Sequence, residues 1–527
     1  MPTSIDALIG QTLVFGIPGP RPTQRDIKLF RDTHAGGLIL YRINFQSPTQ
    51  IKQLVQNLEE ALGRRLLVTV DHEGGRVVMF QSGVTIFPDN LAFGAVGKTA
   101  YAQAQGTIEG RELRRMGMDV AFSPTVDVLT DAFSPNIGIR SYGRDPKVVS
   151  QLAVARIRAL QRERVSACAK HFPGLGPATL DPHLDLPTIS VKWAELRRRH
   201  LVPFKAAIQA GVDMIMSSHP LYPHLDPTPK TPATFSRRII TDLLRREMRF
   251  QGVVASDDLE MGALRSLTTV GQAAVLAARA GHDLILCCHK ENLQRQVFQS
   301  LKKAYETGEL SIKNLEQSVV RIEALRDRHG PRFSNGRPQA DPAGTKLAHR
   351  VAQGAVQVTP GQVSLPLPAT KTLLGIPLPM GEDAPKGQVR EKGLSTVLIL
   401  FPRLSEMSQT IMVEPDLLNE RNFLKNHVSY PKKRIHLLPL NPGPRDIQQA
   451  AKRAAISDTT VFFCYDAHLQ PGNRRLLERL QKTTQRLVLV LLRDPYDRSW
   501  AQKSTTVITA FGYRQAQLEA CLEKIFS

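Results

Sequence analysis

Three short segments carry side chains able to do acid, base or nucleophilic work. VDHEGGRVV, starting at Val70, places Asp71, His72 and Glu73 ahead of a Gly74-Gly75 pair. VVASDDLEMGAL, starting at Val253, sets Asp257 and Asp258 side by side. KHFPGLGPATLDPHLDLP, Lys170 to Pro187, holds Lys170 and His171, a Pro-Gly break, and then Asp181 and His183 two positions apart. A carboxylate presented by a strand end can attack an electrophilic carbon. An Asp beside a His can fix the ring and stabilise its charged form. A metal is the other use of such groups, with His171, His183 and Asp257 as the ligands that could converge. Asp71 could face a ligand or cap the following helix. Of Asp257 and Asp258 only one can face a pocket, because neighbours on an extended chain point to opposite sides. The other is expected to cap a helix beginning near Leu259.

These groups share one kind of location. The first three hundred residues alternate short apolar runs with longer amphipathic stretches. The runs are QTLVFGI, GGLILY, RLLVTVD, MDVAFSP, VSACAKH, VDMIMSSH, GVVASDD and HDLILCC. Short, continuous runs bounded by turn residues read as buried parallel strands. Stretches such as PTQIKQLVQNLEEAL and WAELRRRHLVPFKAAIQAG have helical periodicity. Eight such units in this length predict a (β/α)8 barrel of the TIM type. A doubly wound sheet is the alternative, but no GxGxxG follows the first run. In a barrel, Asp71, His72, Glu73, Asp127, Lys170, His171, His219, Asp257 and Asp258 all fall at the C-terminal rim, where barrel active sites are built.

The barrel is expected over residues 1–327, a linker rich in Gly, Pro and charge over 328–346, and a second unit over 347–527. That unit opens on a helix, KLAHRVAQGAVQV, followed by a loose, proline-rich segment of about 359–393. It then alternates again through STVLILFP, RIHLLPL, TTVFFCYDA, RLVLVLLRDP and TTVITAFG, the pattern of a smaller α/β sandwich domain. No phosphate loop is found there; LNPGPRD and LQPGNRR read as turns before helices.

Composition narrows the function classes. With 527 residues and 42% hydrophobic content the chain can bury more than one core. The net charge of +21 would suit a nucleic-acid partner, but the basic residues are scattered at helical spacing, as in AELRRRHL, and read as solvated faces. No nucleic-acid partner is therefore expected. No apolar run is long enough to span a membrane. The N-terminus has no basic region ahead of its apolar run and does not read as a secretory signal. Five cysteines without CxxC spacing indicate neither a disulfide framework nor a zinc module, and point to a reducing cytoplasm.

VDHEGGRV, IGIRSYGRDP, KHFPGLG with DPHLDLP, and SDDLEMGA, in this order and spacing, resemble glycoside hydrolase family 3 in its bacterial β-N-acetylglucosaminidase branch. YDAHLQPGNRRLLERL and VLLRDPYD look like the C-terminal domain of its two-domain members, so the resemblance covers nearly the whole chain. It implies Asp257 as the nucleophile that forms a glycosyl-enzyme, and His183 as the acid/base with Asp181 as its partner. It also implies Asp71, Arg140, Lys170 and His171 as the residues that bind the terminal sugar. The implied reaction is retaining, exo-acting removal of terminal β-linked GlcNAc from a small glycan or muropeptide in wall recycling, without metal or cofactor. Three positions depart from the family pattern: Met79 where an Arg is frequent, Leu175 for a His, and Pro182 where Ser is common. Two other readings fit the same residues: a β-N-acetylglucosaminide phosphorylase on this scaffold, and a non-catalytic glycan-binding protein. The sequence leaves the oligomeric state open.

Overall fold

The computed structural model describes residues 4–131, 134–178, 186–330, 338–367, 395–409 and 419–527. Eight parallel strands form the first sheet: β1 (Leu13–Phe15), β2 (Gly37–Leu40), β3 (Leu67–Val70), β4 (Val120–Ala121), β5 (Ser166–Phe172), β6 (Met214–Ser217), β7 (Val253–Ala255) and β8 (Ile285–Cys287). Each pairs with its predecessor through β7, and β8 pairs with β1. The remaining gap is bridged by Ala255 and Leu284 in parallel register, which closes the ring. This is the expected barrel, and each of the eight apolar runs supplies one strand.

Alternation along the strands decides which side chains enter the barrel. Val14, Ile39, Leu67, Val120, Cys168, Met214, Val253, Ala255, Leu284 and Leu286 form its buried core, with Tyr41 packed on its edge. Two residues beyond the last core position of a strand, the same side belongs to the rim. Lys170 follows Cys168 in this way and Asp257 follows Ala255, while Asp71 lies two steps of the same alternation beyond Leu67.

The helices between strands are set by local signals. The helix Pro48–Leu62 starts at Ser47, whose hydroxyl accepts from the Gln50 amide, and stops at Gly63 in the left-handed region. Its apolar face, Ile51, Leu54, Val55 and Leu58, is buried against the barrel side.

The described residues through Ala355 form one compact unit and those from Val356 onward a second. The helix Pro342–Ala355, expected to open the second unit, packs instead on the helices Asn90–Val96 and Thr99–Arg115 of the first. Its apolar stripe of Leu347, Ala348, Val351, Ala352 and Ala355 is buried there, and Gly344 lies against Thr85. The last two residues of that expected helix, Gln357 and Val358, belong instead to a strand, β9 (Gln357–Thr359).

The second unit is a six-stranded sheet in the order β11-β10-β12-β13-β14-β9. Its strands are β10 (Val397–Pro402), β11 (Lys433–Leu438), β12 (Thr459–Cys464), β13 (Leu487–Leu491) and β14 (Thr506–Thr509), all parallel, with β9 antiparallel at one edge. Helices Pro444–Ala455 and Pro471–Thr483 cover one face through Ala450, Ala454, Leu476, Leu477 and Leu480. Most of the loose 359–393 segment lies outside the described residues.

Candidate active site

Lys170 is almost completely buried at the mouth end of β5. Its Nζ lies 2.5 Å from Asp71 Oδ1 and 2.7 Å from Glu73 Oε1. Glu73 is held from the other side by Arg140, with Nη2 at 2.8 Å from Oε1 and Nε at 2.9 Å from Oε2. That two-pronged geometry suits a guanidinium and a carboxylate. Thr125 Oγ1 donates to Glu73 as well, at 3.1 Å. Arg140 also reaches Asn136 Oδ1 at 2.7 Å and lies 3.4 Å from His171 Nε2. His171 Nδ1 is 2.8 Å from Asp127 Oδ2, so this nitrogen carries the proton and Nε2 is left to accept.

The electrostatics follow from burial and pairing. Burial alone would raise the Glu73 carboxyl, but the Arg140 and Lys170 charges overcome it and hold Glu73 well below the usual carboxylate range. Burial would likewise weaken Lys170 as a cation, and Asp71 and Glu73 reverse this, so its ammonium is held charged. The result is a fixed set of charges in a poorly solvated place, where they act more strongly than in water.

Asp257 and Asp258 divide as alternation requires. Asp257 follows β7, as Asp71 follows β3, and Lys170 lies near the end of β5, so the three belong to the carboxyl ends of parallel barrel strands. Asp258 turns the other way: its Oδ1 accepts from the Glu260 amide at 3.1 Å and the Cys288 amide at 3.3 Å, and its Oδ2 lies 3.3 Å from His289 Nε2. It ties β7 to the end of β8. The expected cap of a helix near Leu259 is corrected here, because the next helix begins at Gly262 and has no side-chain cap. His219 pins the same turn, with Nε2 3.0 Å from the Asp258 carbonyl.

Asp71 likewise caps no helix; its partner is Lys170, 99 residues away in sequence. The Gly74-Gly75 turn forms as expected, with φ of 86° and 50°. Its close approach is to Asp89, 2.1 Å from where a Gly75 Cβ would stand. Asp127 Oδ1 accepts from the Leu175 amide at 2.5 Å, which anchors the start of the following loop. Met79 and Leu175 are both buried. Asp181, Pro182 and His183 lie outside the described residues.

The sequence reading put Glu73 on the rim without naming its partners, and gave no role to Asn136, Tyr41 or His289. His289 directly follows the eighth apolar run, and its ring lies 4.8 Å from that of Tyr41. The pairing of Asn136 with Arg140 has no sequence signal.

A closed barrel with charged groups gathered at the strand ends is the frame of an enzyme working at its C-terminal rim. The profile described as Glycosyl hydrolase family 3 N terminal domain matches residues 4–325. The chain belongs to glycoside hydrolase family 3 and is a glycoside hydrolase. Among its relatives, a "Beta-hexosaminidase" of Methylobacillus flagellatus is 32% identical over 349 residues, covering 65% of this chain and 95% of the relative. A family 3 β-N-acetylglucosaminidase from a Paenibacillus strain superposes with a TM-score of 0.88 at 28% identity, over 100% of this chain and 98% of that one. NagZ from Neisseria gonorrhoeae, solved with N-trifluoroacetyl-D-glucosamine, gives a TM-score of 0.55 at 28% identity, over 65% of this chain and 98% of its own. Among the described residues no helix is long and apolar enough to cross a membrane.

Proposed function

We propose that this chain is a retaining, exo-acting β-N-acetylhexosaminidase that removes terminal β-linked GlcNAc. Asp257 attacks the anomeric carbon and forms a glycosyl-enzyme. His183, oriented by Asp181, protonates the leaving oxygen and then takes a proton from water. Asp71, Lys170, Arg140 and His171 hold the sugar hydroxyls. What supports the reading is that Asp257, Asp71 and Lys170 all come from the carboxyl ends of parallel barrel strands, β7, β3 and β5. The names of the relatives supply the hexosamine. Peptidoglycan fragments as the natural substrate and the cytoplasm as the place of action are part of the same proposal.

The experiment is hydrolysis of an aryl β-GlcNAc. Asp257→Ala is expected to lower kcat by a factor of about 1,000 or more, as for loss of a nucleophile. His183→Ala should lower it most for poor leaving groups, which need protonation. Undiminished activity in Asp257→Ala rules out the mechanism. Release of a sugar 1-phosphate when phosphate is added would make the chain a phosphorylase instead.

A further inference from the structure

The motifs YDAHLQPG and VLLRDPYD are not used by the barrel chemistry. In the second unit they follow β12 and β13, which lie side by side with Cys464 opposite Leu491. Their polar residues thus leave the carboxyl ends of two adjacent parallel strands, the place where open α/β sheets hold ligands. Asp466, Asp494 and Asp497 are each at most 4% exposed, and so is the His468 side chain.

His468 is held in one orientation. Its Nδ1 lies 2.8 Å from Asp497 Oδ1, and Asp497 also accepts from the Ala467 amide at 2.6 Å and the His468 amide at 2.9 Å. With Nδ1 as the donor, Nε2 is the basic nitrogen, and it faces Asp494 Oδ2 at 3.8 Å. One donor atom from each of Asp466, His468 and Asp494 lies within 4.8 Å of the other two. A carboxylate behind the ring of a ligating histidine is the usual outer support of a metal site.

Beside these carboxylates stands the Arg493 guanidinium, which pairs with Asp466.

We propose that Asp466, His468 and Asp494 bind one divalent metal ion of the zinc class, with Asp497 as the positioning residue behind His468. Oxygen and imidazole donors without a thiolate suit zinc, and also cobalt used as its probe. Ligand separations in a tetrahedral zinc site are about 3.3–3.5 Å, so the donors need only small inward movements. The ion would clamp the two strand-end loops together. This inference is independent of the reaction proposed for the barrel.

The test uses the full chain, stripped with a chelator and titrated with ZnCl2 by calorimetry, with native mass spectrometry for stoichiometry. Groups in the barrel could also take zinc, so the readout is the difference between wild type and second-unit variants. Wild type is expected to bind one more ion than His468→Ala. Asp494→Asn, which keeps the shape, should weaken that site at least tenfold, and Asp497→Asn by about 10–100-fold. Cobalt should give wild type a visible d–d band that His468→Ala lacks. Retained far-UV circular dichroism and aryl-glycoside hydrolysis show that the variants are folded. Equal stoichiometry and affinity in wild type, His468→Ala and Asp494→Asn overturns the proposal, as does the absence of any zinc binding.

Discussion

At the scale of single residues, Glu73 links two cations at the mouth of the barrel. Glu73 is buried between Lys170 and Arg140, and its carboxylate partners both. Glu73→Ala leaves two buried cations without that partner. It is expected to cost about 3–5 kcal/mol in urea unfolding, and to raise KM for an aryl glycoside because Lys170 and Arg140 lose their fixed positions. The buried histidines make a separate prediction about acid. Burial holds His200 and His282 down at about 4, against an ordinary 6.5. Both stay neutral in the folded chain, while the unfolded chain takes up protons below about pH 6.5. Their stabilisation is therefore fully present above pH 6.5 and is lost as pH falls from 6.5 to about 4. Neither ring nitrogen of His200 has a hydrogen-bond partner among the described residues. In His200→Phe the difference in unfolding free energy between pH 7 and pH 5 should shrink by on the order of 2 kcal/mol. An unchanged difference would show that His200 titrates normally.

At the scale of elements, the site depends on how the chain leaves each strand. β5 ends in the segment that carries the proposed acid/base, and Gly176 lies in its first turn. A Cβ there would stand 1.8 Å from the Val128 carbonyl oxygen. Gly176→Ala must therefore push the loop off its seat beside the residues after β4. The expected result is a fall in kcat of tenfold or more with a smaller loss of stability, read by kinetics and thermal melting together. A glycine that is only decorative would leave kcat unchanged. Gly75 is constrained twice, by its positive φ and by Asp89. The sequence announced a tight turn at Gly74-Gly75, but only the fold shows that Asp89 is what comes close.

At the scale of the whole molecule, the boundary between the two units lies after Ala355, later than the sequence pattern indicates. Gly, Pro and charge near residues 328–346 look like a linker, because local composition is all that a linker signal contains. The helix that follows carries an apolar stripe that either unit could bury. Its packing on the helices Asn90–Val96 and Thr99–Arg115 assigns it to the first. A chain ending at residue 355 is therefore expected to be soluble and to melt cooperatively. One ending at residue 341 should melt lower by several degrees or aggregate, since its barrel exposes the apolar surface that Leu347, Val351 and Ala355 cover. Equal melting temperatures would place the boundary earlier.

The net charge of +21 belongs to this scale as well. Several of the basic residues sit on exposed helix faces beside acids, as Arg295 does with Asp32 and Glu291, and Arg246 with Asp242. That is how solvated faces are built. Such pairs add little stability.

The sequence by itself determined the eight barrel strands, their parallel order and the residues at their ends. Buried parallel strands leave continuous apolar runs, and a barrel puts every strand's end at one rim. It also carried the family motifs, and with them the nucleophile and the sugar-binding set proposed above. Tertiary structure alone decided that Asp258 ties β7 to β8, that Glu73 joins Lys170 to Arg140, and that Asp466, His468, Asp494 and Asp497 meet. Each of these depends on side chains from different strand ends being brought within about 3–5 Å. Composition and periodicity describe one strand at a time, and such distances are set between strands.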